Sequence, residues 1–458
     1  MNSDSIQTVV QKQRDFFQTG KTKDVSFRKE SLKKLYNEID KNEQKILDAL
    51  KADLGKHPFE AYASENGLVL KEIRFALKNL SSWAKPQRVQ SSVLTPFAKN
   101  RIYPEPYGTT LIIGPWNYPF QLVLNPLIGA IAAGNCAIVK PSKFAPQTSA
   151  IMKEIISTVF DEGHVTTIVG AAGHEVLKHR YDYIFFTGGT EVGRLVMEAA
   201  TKHLTPLTLE LGGKSPVIVD KDVNIDIAAK RIVWGKFWNT GQTCIAPDYL
   251  LVHESIKPLL LKKMVKYVEE FFGADPLQSP DLGRIINESH FDRLKNLMDE
   301  GNIIVGGQTK REEKFIAPTI IDNIHLENKI MKEEIFGPLL PVIQFSDLDE
   351  AVKTVKTLPK PLSLYLFSNK EESKKKILDE LHFGGGCIND TLVHFSSCKL
   401  PFGGIGFSGM GAYHGKFSFD AFTHYKSITE SPAWFDKFPK YPPFKNRLGL
   451  LKKVMDLV

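Results

Sequence analysis

Cysteine is scarce in this chain and what there is lies scattered: four residues in 458, at positions 136, 244, 387 and 398, with no C-x-x-C pair. That spacing indicates neither a disulfide framework nor a zinc site, no metal ligand set is expected, and the usage fits a reducing, cytoplasmic setting. Also missing is any apolar run long enough to span a bilayer, and Met1 to Asp24 are polar and charged, without the apolar core of a secretory signal. A secreted or membrane-spanning protein is therefore not expected. Nor is charge of one sign concentrated: 59 basic against 52 acidic residues give +7, scattered rather than gathered into a basic stripe interleaved with aromatics. Nucleic acid is not an expected partner, and the charge reads as solvated surface. No internal repeat or low-complexity tract stands out. What remains, with 42% hydrophobic and 24% charged residues, is an ordinary globular composition in a chain long enough for two or three domains.

Over roughly the first eighty residues, apolar positions recur at helical spacing among charges, as in Leu32, Leu35, Ile39, Ile46, Leu47 and Leu50. These read as helices laid on another layer. From Thr109 the texture changes to short apolar runs alternating with helical stretches: Thr110 to Ile113, Ala137 to Val139, Thr167 to Val169 and Tyr183 to Phe186. A second series follows Pro216, with Val217 to Val219, Tyr249 to Val252, Leu364 to Phe367 and Gly386 to Ile388 as strands. Strands alternating with helices predict an α/β fold with doubly wound parallel sheets, whose ligands bind at strand C-termini. The Pro-rich stretch from Phe438 to Pro443 marks a tail leaving the body.

One juxtaposition carries most of the chemistry. Glu210-Leu211-Gly212-Gly213-Lys214-Ser215-Pro216 is followed, thirty-four residues after its glutamate, by Cys244 in Asn239-Thr240-Gly241-Gln242-Thr243-Cys244. A thiolate attacks a carbonyl carbon well, but hydrolysing the resulting thioester needs a carboxylate able to take a proton from water. The chain offers both groups. A strand running into Thr187-Gly188-Gly189-Thr190-Glu191-Val192-Gly193 lets a pyrophosphate approach backbone N–H groups at a helix start, although it is not the G-x-G-x-x-G fingerprint. An ordinary strand-to-helix turn reads equally well from those residues alone.

Together the Glu-Leu-Gly-Gly-Lys-Ser-Pro and Gly-Gln-Thr-Cys segments resemble the signature motifs of the aldehyde dehydrogenase superfamily, and further matches extend over nearly the whole chain. The resemblance implies an aldehyde dehydrogenase-like fold. Residues 1–87 and 107–209 would form a Rossmann-type dinucleotide domain and residues 210–422 the catalytic domain. Residues 88–106 and 423–458 would form an oligomerisation arm and C-terminal tail. It implies Cys244 as nucleophile, Glu210 as general base, and Asn117 of Pro115-Trp116-Asn117-Tyr118-Pro119 as an oxyanion donor beside the Cys244 N–H. For the cofactor, NAD and/or NADP, it implies contacts from Trp116, from Lys140 and Ser142 at a strand end, and from Gly188, Gly189, Thr190, Val192, Gly193 and Leu211. Glu334 would hold the nicotinamide ribose and Phe336 would pack near the ring. Many relatives carry a glutamate where this chain has Lys143; a cation there should attract a 2′-phosphate, so NADP is expected alongside NAD.

The segments Leu400 to Gly406, Ser408 to Gly411 and Tyr413 to Lys416 resemble the class 3 branch, which includes fatty aldehyde dehydrogenases. That branch implies a homodimer and medium-to-long aliphatic or aromatic aldehydes. Trp234, Phe237 and Trp238 either line an apolar funnel to Cys244 or pack in the core. In the tail, Phe438, Tyr441, Phe444, Leu448, Leu450 and Leu451 favour packing on a partner subunit, while Lys445, Arg447, Lys452 and Lys453 offer at most weak peripheral contact with an anionic membrane. Two rival readings stay open: a cysteine-dependent ester or thioester hydrolase without a redox step, and a non-catalytic dimeric scaffold on the same fold.

Overall fold

The computed structural model describes residues 3–92, 95, 97–436 and 440–456. Two sheets of α/β type organise it. The first has six strands in the spatial order Gly409–Met410, Leu207–Glu210, Tyr183–Thr187, Thr109–Ile113, Cys136–Lys140 and Val165–Thr167. All pair parallel except Gly409–Met410, which returns from late in the chain and runs antiparallel beside Glu210. Chain order therefore reverses between Thr109–Ile113 and Tyr183–Thr187. This is the switch point at which a doubly wound sheet opens a crevice beyond its strand C-termini.

Alternation along these strands explains why both faces are covered. Ile112, Val139 and Phe185 pack in the large core with the N-terminal helices, where Leu32, Leu35, Ile39, Ile46, Leu47 and Leu50 are all buried. Leu111, Ile138 and Ile184 point the other way, onto Ile6, Val9 and Val10 of the helix Ser3–Gln18 and Val196 of Thr190–Thr201.

The second sheet has seven strands, ordered Asn302–Val305, Thr319–Asp322, Leu339–Phe345, Tyr249–His253, Pro216–Val219, Ser363–Phe367 and Gly385–Ile388. Its helices Ile225–Phe237 and Lys257–Phe272 pack on one face through Val217, Leu250 and Tyr365, while Ile218, Leu251 and Leu364 face the other core. Three of these strands, Asn302–Val305, Thr319–Asp322 and Leu339–Phe345, lie beyond the four expected in this half, and the strand expected over 167–169 runs instead over Val165–Thr167. Leu207–Glu210 ends the first sheet six residues before Pro216 begins the second. The C-terminal edge of one thus meets the N-terminal edge of the other.

Strands Gln87–Val89, Lys99–Pro106 and Thr423–Glu430 make a separate antiparallel sheet of three. In the tail, Leu448–Met455 is helical with Leu448 and Leu451 exposed. Phe438 and Pro439, and the side chain of Leu450, lie outside the described residues. Among the described residues no helix is long and apolar enough to cross a membrane.

Candidate active site

Three loops converge where the two sheets meet. The first leaves the switch point after Ile113. Gly114 donates to the Lys140 carbonyl at 3.1 Å, and a Cβ there would lie 2.1 Å from Val123, so only glycine lets the loop turn this close to the following helix. Asn117 sits in this loop, 2% exposed. Its Nδ2 donates to the Gln242 carbonyl at 3.0 Å, and its own carbonyl accepts from Asn239 Nδ2 at 2.9 Å.

The second loop carries Cys244. The helix Ile225–Phe237, capped by the Asn224 side chain on Ile227 N–H, ends into Asn239 and Thr240, both left-handed with φ of 52° and 54°. Non-glycine residues hold that conformation only where their surroundings impose it. Here the cause is close packing: a Cβ on Gly241 would lie 2.2 Å from the Gly337 carbonyl, which seats this loop on the third, Glu333 to Pro338. Lys214 and Asp248 lock the assembly. Their buried ion pair, at 2.5 Å, leaves Lys214 donating to the carbonyls of Ile330 and Glu333 and Asp248 accepting from Ile335 N–H. The three sequence motifs are thereby cross-linked into one unit.

Two cavities share Cys244 as a wall. The polar one, about 250 Å³, is lined by Trp116, Asn117, Gly188, Glu210, Glu334 and Phe336 among others, with Gly189 and Leu211 also facing it. The second, about 200 Å³, is apolar and runs between Leu122, Trp234, Trp238, Ile245, Leu392 and Phe395. Glu210 is 3% exposed, and neither carboxylate oxygen has a hydrogen-bond partner among the described residues. Burial pushes its pKa well above the carboxylate range. Glu334 is raised to about 8, first by burial and then by Asp248, against the pull of the Gly213 N–H. Burial also raises the Cys244 thiol, Glu334 and Glu210 adding to it, while the N–H groups of Cys244 and Ile245 act in the opposite sense.

A dinucleotide fits what is present. Gly189 caps the N-terminus of Thr190–Thr201 with open space where a Cβ would be, leaving backbone N–H groups accessible to phosphate. At Gly212 a Cβ would lie 2.0 Å from Glu334 Oε2, so this glycine lets the Glu334 carboxyl settle against the turn that follows Glu210. Gly193 has a different task, since a Cβ there would lie 2.7 Å from Leu211 Cδ2, and its absence makes room for that side chain. Thr190 Oγ1 donates to the Phe407 carbonyl at 3.3 Å, and Val192 is exposed on the outer helix face. Lys140 ends its strand beside Ile113 and feels the charge of Lys143, whose exposed ammonium lies 5.2 Å from the Phe144 ring centre; Ser142 Oγ accepts from Phe144 N–H. Lys140, Ser142, Lys143, Thr190, Val192 and Gly193 line neither cavity at Cys244.

Sequence reasoning missed His290 and Arg293 in the polar cavity. His290 lies 5.1 Å from Trp116 between ring centres, and Arg293 donates to the carbonyls of Glu334 and Ile335. Both sit on the helix Glu288–Asn296, whose pattern is that of a surface helix. Of the aromatic trio before the nucleophile, Trp234 and Trp238 line the apolar cavity, whereas Phe237 packs in the core against Phe272.

A switch-point crevice opening onto a half-buried cysteine, with a carboxylate on the crevice side and an apolar channel on the other, is the architecture of a dinucleotide-dependent enzyme. The chain belongs to the aldehyde dehydrogenase family, whose model matches residues 1–428, and within it to the class 3 branch. It is 50% identical over 441 residues to 4,4'-diaponeurosporen-aldehyde dehydrogenase of Staphylococcus aureus, covering 95% of this chain and 96% of that one. To the mouse (Mus musculus) aldehyde dehydrogenase described as dimeric and NADP-preferring it is 45% identical over 443 residues, covering 96% and 98%. The solved substrate-bound state of Staphylococcus aureus AldH superposes with a TM-score of 0.96 at 48% identity, covering 98% of this chain and 99% of that one. The protein is an NAD(P)-dependent aldehyde dehydrogenase.

Proposed function

We propose that Cys244, Asn117 and Glu210 carry the oxidation of an aldehyde to its acid. The observation that carries this reading is the single thiol shared by a polar cavity with an unpartnered carboxylate and an apolar one. The aldehyde enters through the apolar cavity, along the wall that Trp234 and Trp238 form. The Cys244 thiol first loses its proton to solvent through the polar cavity, which leaves Sγ as the thiolate and Glu210 free for the later step. Sγ then bonds to the carbonyl carbon as the C=O π pair moves onto oxygen. One Asn117 amide hydrogen is fixed on the Gln242 carbonyl, leaving the other, with the Cys244 N–H, for that oxygen. The dinucleotide, held by Trp116, Glu334, Phe336 and the Gly188 turn, supplies when bound the acceptor for the two electrons and hydrogen lost by the thiohemiacetal. Glu210 takes a proton from water, whose oxygen adds to the resulting thioester; the C–S bond breaks, the thiolate leaves, and the acid is released.

Several finer features belong to the same reading. The apolar cavity favours medium-to-long aliphatic or aromatic aldehydes. Residues 1–87 with 107–209 act as the cofactor domain, 210–422 as the catalytic domain, and 88–106 with 423–458 as the arm and tail of a homodimer. Support for the dimer comes from Leu195 and Met197, exposed along the helix Thr190–Thr201, while Val192 stays with the cofactor contacts. Four free cysteines fit a cytoplasmic setting. Lys140, Ser142 and Lys143 reach the adenosine half of the cofactor at the same sheet edge as Gly188. The test is a panel of aldehydes assayed with NAD and NADP in parallel. Reduced cofactor should form with both, and Lys143→Glu should shift preference toward NAD by about tenfold, one charge pair's worth. Ester cleavage with no cofactor reduction from any aldehyde would contradict the redox assignment; an unchanged preference in Lys143→Glu would remove that lysine from the cofactor site.

A further inference from the structure

Beneath the Asn117 loop lies an ion pair that the chemistry above does not use. Lys56 follows the helix Glu43–Leu54, just past Gly55, whose φ of 68° ends that helix. Glu65 stands in a π-helical turn, Tyr62–Asn66, a local widening that often marks functional positions. Both side chains are fully buried, with Lys56 Nζ 2.6 Å from Glu65 Oε1.

Their remaining bonds converge on one loop. Lys56 Nζ donates to the Asn117 carbonyl at 3.0 Å and sits 4.1 Å from the centre of the Tyr118 ring. Glu65 Oε2 accepts from the N–H groups of Phe120 and Gln121, at 2.9 and 3.1 Å, where the loop turns into the helix Gln121–Ala133. One buried pair thus clamps the loop at both ends, cation on a carbonyl and anion on amides. Tyr118 carries the link onward: its hydroxyl lies 2.6 Å from Thr243 Oγ1, one residue before the nucleophile. A fully buried ion pair is a poor source of stability compared with apolar packing, because both charges lose their hydration. What this pair does accomplish is fixing the backbone from which the Asn117 amide projects.

We propose that Lys56 and Glu65 are positioning residues for oxyanion binding, holding Asn117 at the spacing from Cys244 that the tetrahedral intermediate requires. The proposal rests on the reading of Asn117 as the donor. Neither residue reaches the polar or the apolar cavity at Cys244, so both act through Asn117. Displacing a reacting group by about 1 Å can cost on the order of 100-fold in rate. Loosening the clamp should therefore slow thiohemiacetal formation without weakening substrate capture.

The experiment is a double-mutant cycle on the full-length enzyme with saturating cofactor, reading the first-turnover rate and KM. Lys56→Met should slow the first turnover by about 10- to 100-fold, with KM within about threefold of wild type. Lys56→Arg should recover most of the loss, and Lys56→Met should add nothing in an Asn117→Ala background. If Lys56→Met does not fold, the doubly apolar Lys56→Met/Glu65→Leu takes its place, since it leaves no charge unpaired and still lacks every bond to the loop. Effects that multiply in the double variant would overturn the proposal. So would a wild-type first-turnover rate in a variant that has merely lost thermal stability. If Asn117→Ala is slow and Lys56→Met is not, only the clamp falls; if Asn117→Ala keeps the wild-type rate, the oxyanion reading falls and takes the clamp with it.

Discussion

The two cavities that meet at Cys244 are close in size, about 250 and 200 Å³, and differ in the polar groups they carry. The polar one is made by loops cross-linked through Lys214, Asp248 and close glycine contacts, and holds two carboxyls whose proton affinity burial has raised. The other is walled by tryptophans and aliphatic side chains. The proposed mechanism assigns bond-making and proton transfer to the first side and discrimination among aldehydes to the second. Variants on the two sides should fail in different ways.

The largest effect should come from Cys244, which with Leu122 borders both cavities. Cys244→Ala removes the nucleophile, and turnover should fall by at least about four orders of magnitude, while Cys136, Cys387 and Cys398 variants keep most of it. Steady-state formation of reduced cofactor measures this, and substantial oxidation by Cys244→Ala would break the comparison at its root. Glu210→Gln, on the polar side alone, should lower kcat by about 100-fold or more while cofactor affinity, read by fluorescence titration, stays unchanged.

Trp238→Ala belongs to the apolar side. It should lower kcat/KM for long straight-chain aldehydes by about tenfold and leave short ones and cofactor KM nearly untouched. Each added CH₂ contributes at most about 0.8 kcal/mol, so wild-type kcat/KM should climb along a homologous series by up to about fourfold per carbon. A flat series would remove the apolar channel from the account. The smallest effect concerns Glu334, whose folded-state pKa of about 8 exceeds its ordinary 4.5. Such a carboxyl binds its proton more tightly when folded, so its stabilising contribution is complete below pH 4.5 and is lost as pH rises through about 8. Thermal melts of the cofactor-free enzyme should show Tm declining over that window, less steeply in Glu334→Gln. Some decline should persist, because burial also raises Glu60, to about 7. Identical profiles would mean that Glu334 does not hold its proton as described.

The polar cavity was largely legible in the sequence and the apolar one only in part, through Trp234 and Trp238. Glycines at 188, 189, 212 and 241, and residues such as Asn117 and Cys244, stand in short segments where backbone and side chain must meet within a few positions. Leu392 and Phe395, by contrast, reach the channel from a distant loop, and an apolar wall residue has no local mark to separate it from core. The same limit applied to the fold. Leu339–Phe345 carries Pro341, which argues against an interior strand, yet it pairs on both sides because Pro341 itself faces Ile321 in the ladder with Thr319–Asp322 while Val342 to Phe345 pair with Leu250 to His253. Lys56 and Glu65, nine residues apart among many charges, look like surface until folding buries them together.

The most direct test of the division between the cavities is rapid mixing of Glu210→Gln with cofactor and a long-chain aldehyde. If Cys244 forms the thioester and Glu210 serves only its hydrolysis, reduced cofactor should appear in a fast burst approaching one equivalent per active site, followed by very slow turnover. A burst lost along with turnover would place Glu210 in the first half of the reaction. Steady-state turnover at the wild-type rate would mean that another group activates water.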